Sequence, residues 1–298
     1  MNPLTVAVTG ANAGIGLRAC MRLAAEGHQV YALCRSPERG QAAIEQINAN
    51  ATHPARLVIV DLADPVSITA TATRLAGELD RLDVLINNAA VFDQTMRRPR
   101  FTAAGHELFW ATNHLGPFQL TAELGHLLAA APQPRLISVA SKGLVAMPRI
   151  AIRFNELDGA AWFSPTKAYY HAKLAQIMMS YHLALLAAGR LEVTCVRVPS
   201  VRLDADRVAA MPRLLRVLYA PKNRMAMPPE RLGDAYTAIA TGAVSAVRGR
   251  PGTDPLHGVY LDEARRPVRA PAFAYDAEAR RRLWTVSQQA TGGLQWAW

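Results

Sequence analysis

Cysteine is scarce in this chain, and the cysteines present are not spaced for metal or disulfide chemistry. The 298 residues contain only Cys20, Cys34 and Cys195, with no C-x-x-C spacing. This pattern argues against a disulfide framework and predicts reduced thiols packed inside a cytosolic protein. The eight histidines form no H-x-x-H or H-x-H pair, so we expect no metal site.

Long apolar runs and long basic runs are also missing. The first apolar run lies within residues 4–9, no signal peptide is visible, and we expect a cytoplasmic protein without stable membrane insertion. The formal net charge is +10, yet no five basic residues are consecutive and no aromatic residues are interleaved with them. A solvated arginine-rich surface is therefore favoured over nucleic-acid binding, and an anionic cofactor would also suit the charge.

The remaining pattern predicts a single α/β domain over residues 1–298, with a cofactor-binding half at about 1–140 and a catalytic and substrate half at about 141–298. Apolar strand-like segments alternate with helical segments, which is typical of a Rossmann-type doubly wound parallel sheet flanked by helices. Strands are predicted at residues 4–8, 29–35, 56–62, 82–87, 135–141, 191–198 and 258–262.

A glycine-rich turn follows the first predicted strand and precedes a helix. It reads Thr9-Gly10-Ala11-Asn12-Ala13-Gly14-Ile15-Gly16. Glycines let backbone N–H groups approach a pyrophosphate, and the helix N-terminus supplies positive potential. In this context the turn indicates nucleotide binding, and the alternative is a tight turn that binds nothing.

The second strand ends in Cys34 and Arg35, where a dinucleotide fold that binds NAD usually has a carboxylate. Without that carboxylate nothing repels a ribose 2′-phosphate, and a guanidinium is placed to bind one. This predicts a preference for NADP(H), the alternative being an exposed loop arginine. Asp61 and Asn87 also fall at the carboxyl ends of strands, where ligands of such sheets bind.

Tyr169 and Lys173 lie four residues apart in a predicted helix that ends at Gly189, so both project from one face. A cation one turn away favours the phenolate, and we expect Lys173 to lower the pKa of Tyr169. Tyr170 has Leu174 at the same distance, so the spacing identifies Tyr169 as the acid.

A long helix is predicted over residues 101–130, and Gly116-Pro117 should distort it just after Asn113. Such a break frees a backbone carbonyl that can hold water. Residues 142–167 lack periodicity, and a connection of this length is usually functional. Residues 204–219 are amphipathic and predict a lid helix over an apolar pocket, with core packing nearly as well supported and a membrane-surface helix less so.

Taken together, these motifs make the chain similar to the short-chain dehydrogenase/reductase family almost from end to end. The glycine turn matches its cofactor motif, Asn87-Asn88-Ala89 its structural motif, and Asn113, Ser141, Tyr169 and Lys173 its catalytic tetrad in chain order. The segment 168–175, the long interval before it, and residues 279–287 resemble the retinol-dehydrogenase-like branch.

The resemblance implies roles for the tetrad. Tyr169 would exchange a proton with the substrate oxygen, Lys173 would bind the nicotinamide ribose, and Ser141 would orient the substrate, while the neighbouring Ser138 packs. Asn113 would hold a water that links Lys173 to solvent. The residues expected to contact NADP(H) are Thr9, Gly10, Asn12, Ala13, Gly14, Ile15, Gly16, Arg35, Asp61, Leu62, Asn88, Ala89, Ala90, Tyr169, Lys173, Pro199, Ser200 and Val201.

Three positions depart from the family pattern. Ala90 and Ser200 stand where glycines are usual, and Val201-Arg202-Leu203-Asp204 stands near the position of a threonine that binds the carboxamide. These departures predict that nicotinamide is held differently or less tightly. The oligomeric state is open, and the resemblance implies a homodimer or homotetramer through helices at 101–130 and 169–188.

Three functions are consistent with these observations. The first is an NADP(H)-dependent oxidoreductase acting on a carbonyl or secondary alcohol of a bulky apolar small molecule. The second keeps the acid–base residues but performs no net redox, as a cyclase, dehydratase or epimerase, and the departures motivate it. The third is a nucleotide-sensing binding protein, which the intact Ser141, Tyr169 and Lys173 argue against.

Overall fold

The computed structural model describes residues 2–157, 159, 161–204, 208–209, 216, 223–242, 256 and 258–298. These residues form a parallel seven-stranded sheet in the order β3-β2-β1-β4-β5-β6-β7, flanked by helices. The predicted Rossmann-type fold is therefore confirmed. The strands are β1 (Thr5–Thr9), β2 (Gln29–Cys34), β3 (Arg56–Ile59), β4 (Val84–Asn87), β5 (Arg135–Ser141), β6 (Glu192–Val198) and β7 (Tyr260–Leu261).

Helices cover both faces of the sheet, and several begin at capping residues that the sequence supplies. The side chains of Ser36, Asp64 and Ser164 each accept a backbone N–H of the helix that follows, and each is followed by proline. The helices are α1 (Gly14–Ala25), α2 (Pro37–Asn48), α3 (Pro65–Glu78), α4 (Leu108–Trp110), α5 (Gly116–Glu123), α6 (Gly125–Ala129), α7 (Pro165–Ala187), α8 (Pro229–Ala240) and α9 (Ala277–Ala290).

The central strands are buried on both faces, which explains their uninterrupted apolar sequences. Val6, Ala7 and Val8 of β1 are fully buried, but they serve two different cores. Ala7 packs in the cluster that contains the α7 and α9 side chains. Val6 and Val8 pack in the cluster on the opposite face, with α1 and α8. The carboxyl ends of the strands are consequently left as the accessible edge.

Residues 101–130 do not form the single long helix predicted from the sequence. Residues 101–107 form a turn closed by a bridge between Phe101 and Glu107, and helix begins at Leu108. Between α4 and α5, Ala111–Leu115 form a π-helical turn that ends at Gly116. The Gly116-Pro117 pair therefore coincides with the expected distortion.

The predicted lid helix at 204–219 falls mostly on residues outside the described part of the chain. Asp204 is described, as are residues 208, 209 and 216, and they do not define a lid. Among the described residues, none of the helices combines the length and the hydropathy needed to cross a bilayer.

The C-terminal helix α9 packs against α7 and ties together elements that are distant in sequence. Ser287 Oγ of α9 lies 2.8 Å from Nε2 of His114, which follows Asn113 in the π-helical turn. Burial lowers the pKa of His114 to about 3, so the ring stays neutral. Trp284 and Trp296 pack edge-on against Phe118 of α5.

Candidate active site

The glycine turn and the end of β4 are joined by a compact set of hydrogen bonds. Thr9 Oγ1 accepts the backbone N–H groups of Asn88 and Ala89, both at 3.0 Å. The Asn88 amide nitrogen donates to the Thr9 carbonyl at 2.9 Å. The chain therefore uses three predicted cofactor residues to hold the turn in place at the carboxyl edge.

The turn requires glycine at the positions where the motif has it. Gly10 and Gly14 have φ angles of +66° and +56°, which side chains disfavour. A Cβ on Gly16 would lie 2.5 Å from the Gly10 carbonyl oxygen. Ala13 caps α1 without a side-chain bond, and the Gly14 N–H instead donates to the Asp204 carboxylate at 2.9 Å. The turn thus already holds an anionic group.

The other predicted cofactor residues follow the ends of neighbouring strands. Arg35 is exposed just after β2, and in the described part of the chain its guanidinium has no hydrogen-bond or ion-pair partner. The Asp61 carboxylate accepts the Ala63 N–H at 2.9 Å. Asn12, Ala13 and Ile15 lie half-buried in the turn, Leu62 is buried, Ala90 and Ser200 are exposed, and Pro199 and Val201 are half-buried.

Ser141 and Tyr169 are brought together from β5 and α7. Their hydroxyls form a hydrogen bond, which lowers the pKa of Tyr169, but burial of the phenol has the larger and opposite effect. The net result is a pKa of about 12. The expectation that Lys173 lowers this pKa is therefore not met in the structure.

The position of Lys173 explains the difference. Its Nζ donates to the Val139 carbonyl at 2.7 Å and lies 5.8 Å from the centroid of the Tyr169 ring. Burial lowers the pKa of Lys173 to about 8. The ammonium is thus beside the ring and bonded to the sheet backbone, and not on the phenol oxygen.

This buried ammonium should make the stability of the protein depend on pH. The folded state lowers the pKa of Lys173, so the penalty for charging it is full below about pH 8 and disappears above the unfolded value of ~10.4. We expect Lys173→Met to be more stable than the wild type at pH 7 by roughly 1–3 kcal/mol, with the difference shrinking toward pH 10.5.

Urea unfolding at the two pH values measures this difference. Lys142→Met is the matched control, because Lys142 is half-exposed and forms an ion pair with Glu263 at 2.8 Å. It should show no gain at pH 7. An equal gain for Lys173→Met at both pH values would contradict the prediction.

Asn113 is anchored on both its side chain and its carbonyl. The side-chain amide exchanges hydrogen bonds with the backbone of Val91, at 2.7 and 2.9 Å. The carbonyl freed by the π-helical turn accepts the Nε2 of Gln176 at 2.5 Å. The Asn113 carbonyl therefore accepts a hydrogen bond from the Gln176 side chain, where the sequence suggested a water as the donor.

Gln176 was missed by the sequence analysis, although a signal for it exists. It stands one turn after Lys173 in the apolar run Leu174–Met179, and it is 1% exposed. A polar side chain within an otherwise apolar buried face requires a partner. Its Oε1 is buried without a hydrogen-bond partner among the described residues.

The surroundings of Tyr169 are apolar and aromatic. Phe92 stacks on its ring with centroids 4.4 Å apart and is 44% exposed. The neighbouring cluster contains Met96, Phe109, Trp162 and Phe163. The described residues include no group of three or more metal-ligating side chains. Ser138 is fully buried on β5, away from this cluster.

Comparison with known proteins places these features in a family. The family model described as short chain dehydrogenase matches residues 4–152. Retinol dehydrogenase 12 of Bos taurus is 33% identical over 294 residues, which cover 98% of this chain and 87% of the relative. Dehydrogenase/reductase SDR family member 13 of Homo sapiens is 32% identical over 294 residues, covering 97% of this chain and 73% of the relative.

Solved structures share the fold. A short-chain dehydrogenase of Shigella flexneri complexed with NADP aligns with a TM-score of 0.62 and 24% identity, covering 80% of this chain and 92% of that one. An uncharacterized protein from Mycobacterium paratuberculosis aligns with a TM-score of 0.67 and 24% identity, covering 99% and 97%. The family model and the sequence relatives show that the chain belongs to the short-chain dehydrogenase/reductase family of oxidoreductases, in its retinol-dehydrogenase-like branch.

Proposed function

We propose that this protein is an NADP(H)-dependent oxidoreductase that interconverts a carbonyl and an alcohol on a bulky apolar small molecule. The observation that carries the proposal is the Ser141–Tyr169 hydroxyl pair, with Lys173 one turn away on the same helix. These groups lie at the carboxyl edge of the sheet, where the glycine turn also lies. The constellation is the one needed for proton transfer beside a bound nucleotide.

The residues present fit a dinucleotide phosphate. The glycine turn is closed against Asn88 and Ala89, so backbone N–H groups can approach a ligand, and one of them already donates to a carboxylate. Arg35 offers a guanidinium after β2 that has no partner among the described residues, where a 2′-phosphate would need a cation. Two solved structures of similar fold are complexes with NADP and with NADPH, which supports the same cofactor here.

When bound, the nicotinamide supplies the hydride that reduces the carbonyl carbon. The Tyr169 hydroxyl then donates its proton to the oxygen, so that one hydride and one proton give the alcohol, and the reverse direction returns both. Ser141 accepts the Gly143 N–H at 3.3 Å, which orients its hydroxyl toward Tyr169 and the substrate oxygen. The raised pKa of Tyr169 keeps the phenol protonated before the reaction.

Lys173 and Asn113 are proposed to assist this proton transfer without contacting the substrate. The Lys173 ammonium, 5.8 Å from the centroid of the Tyr169 ring, would bind the nicotinamide ribose, and burial lowers its pKa to about 8, so that it can exchange protons near neutral pH. Gln176 Nε2 donates to the Asn113 carbonyl, and its Oε1 is buried without a hydrogen-bond partner among the described residues. These polar groups would help to return a proton to Tyr169 after it has donated its own.

The aromatic surroundings of Tyr169 support an apolar substrate. Phe92 packs on the Tyr169 ring, and Trp162 and Phe163 belong to the same apolar cluster. Burying apolar area of a substrate against such a surface is favourable. Two of the sequence relatives are named retinol dehydrogenases, and retinol is itself apolar. We therefore propose long apolar aldehydes and ketones as the substrate class.

Removing the Arg35 guanidinium should weaken NADPH binding selectively. We expect Arg35→Ala to raise the NADPH dissociation constant by roughly tenfold to a hundredfold, because a charge-assisted bond to the 2′-phosphate is lost. NADH, which lacks that phosphate, should bind Arg35→Ala and wild type equally. Calorimetric titration measures both, and Arg74→Ala, which removes a distant surface arginine, is the control. Equal weakening of NADH would contradict the assignment.

The proposal is tested with NADPH that carries deuterium at the transferable position. The purified protein is incubated with this cofactor and retinal or another long-chain aldehyde, and the product is analysed by mass spectrometry. One deuterium in the alcohol product supports the proposal. Product formed without label would instead support the non-redox alternative, and the altered residues Ala90, Ser200 and Asp204 motivate that comparison.

A further inference from the structure

The carboxylate of Asp204, a residue distant in sequence, contacts the glycine turn that we propose binds the pyrophosphate. Asp204 Oδ2 accepts the Gly14 N–H at 2.9 Å, although the two residues are 190 positions apart. Its Oδ1 accepts from Arg18, one turn further along α1, at 3.0 Å. Arg18 also contacts Glu230 at 3.2 Å. Asp204 therefore uses a backbone donor and a guanidinium together.

These two donors are the ones that a pyrophosphate would use. Gly14 is the first residue of α1, and its N–H has no partner within the helix. Anions are stabilised at this end of a helix by the unpaired N–H groups and the helix dipole. Arg18 lies on the same end and adds a positive charge. A carboxylate and a phosphate cannot share this position, because both are anions that need the same hydrogen atoms.

Asp204 is held over the turn by its own backbone. The preceding residue, Leu203, donates its N–H to Asn223 Oδ1 at 2.8 Å. Val201 forms a bridge with Met227, and the Arg202 N–H donates to the Met227 carbonyl at 2.9 Å. The backbone is therefore held at each of the three residues before Asp204, and this keeps the Asp204 carboxylate close to Gly14.

We propose that Asp204 is a resident anion in the pyrophosphate subsite, which the dinucleotide must displace in order to bind. This inference rests on the proposed cofactor. Displacement breaks the bonds from Gly14 and Arg18 to Asp204 and frees both donors for the phosphates. Asp204 thereby lowers the affinity for the dinucleotide, and Arg18 becomes a phosphate ligand in the complex.

The test compares two carboxylates on Arg18, of which only one touches the turn. Asp204→Asn keeps the shape of the side chain and removes its charge, whereas Glu230→Gln removes the charge of a carboxylate that contacts Arg18 alone. Calorimetric titration with NADPH, and separately with inorganic pyrophosphate, should show binding at least about tenfold tighter for Asp204→Asn. Glu230→Gln should stay within about twofold of wild type. Asp204→Thr, a second neutral variant, should behave as Asp204→Asn does.

Three outcomes would overturn this proposal. If Asp204→Asn and Asp204→Thr bind NADPH with wild-type affinity or more weakly, Asp204 does not compete with the cofactor, while the cofactor assignment itself stands. If wild type and variants all fail to bind NADPH and NADH, both the proposed cofactor and the proposed competition between Asp204 and its pyrophosphate are rejected. Equal tightening by Glu230→Gln would assign the effect to the general charge around Arg18 and also reject the role of Asp204 at the turn.

Discussion

Tyr169→Phe should lower the rate of carbonyl reduction by roughly 10²–10⁴-fold, because the phenol is the only proton donor that we place beside the substrate oxygen. The change removes one oxygen atom from a ring that remains packed against Phe92. The NADPH affinity should therefore change by no more than about threefold. Steady-state kinetics with a long-chain aldehyde measures the rate, and calorimetric titration measures the affinity.

The adjacent tyrosine is the matched control for this change. The Tyr170 ring packs edge-on against Tyr169 with centroids 5.3 Å apart, and its hydroxyl lies where a side chain of Gly143 would be. Tyr170→Phe removes the same oxygen atom from the neighbouring position and should retain activity within about threefold of wild type. If the two variants lost activity equally, the loss would be structural and Tyr169 would not be the acid.

Gly116→Ala should destabilise the fold by about 3 kcal/mol. Gly116 begins α5 directly after the π-helical turn, and a Cβ there would overlap the backbone carbonyl of Leu62. A backbone carbonyl cannot rotate away as a side chain can, so the contact between α5 and the segment after β3 must open. Urea unfolding followed by circular dichroism measures the free energy of unfolding.

Gly77→Ala provides the comparison. Gly77 lies in α3, and a Cβ there would have no neighbour within 4 Å. In this open position alanine should stabilise the helix by roughly 0.5–1 kcal/mol. The opposite signs of the two substitutions separate steric overlap from helix propensity. An unfolding free energy for Gly116→Ala equal to that of wild type would show that α5 can shift freely at this position.

The elements that the sequence predicts best are those whose signals are local. The strand Arg135–Ser141 is observed with the predicted bounds. A distortion just after Asn113 was predicted from Gly116-Pro117, and the π-helical turn Ala111–Leu115 lies directly before this pair. Residues 101–107 were misread as helix, because their turn depends on the bridge between Phe101 and Glu107, which periodicity does not reveal.

The details that sequence reasoning could not supply all depend on distant contacts. The spacing of Tyr169 and Lys173 gives their shared face correctly, but not the Val139 carbonyl that draws the ammonium toward the sheet. The same spacing gave no measure of burial, which reverses the expected direction of the pKa shift of Tyr169. Asp204 was noticed as a departure from the family, whereas its bond to Gly14 spans 190 residues and follows only from the fold.

The bond between Ser287 and His114 also has a consequence during protein synthesis. The residues Asn113, Ser141, Tyr169 and Lys173 are all translated before α9. Until α9 is made, His114 in the π-helical turn beside Asn113 lacks its partner Ser287. Helix α7 also lacks the packing of α9 against it until α9 has been synthesised. The nascent chain therefore holds all four candidate catalytic side chains before the fold that packs around them is complete, and we expect premature termination before α9 to leave His114 and α7 without this packing.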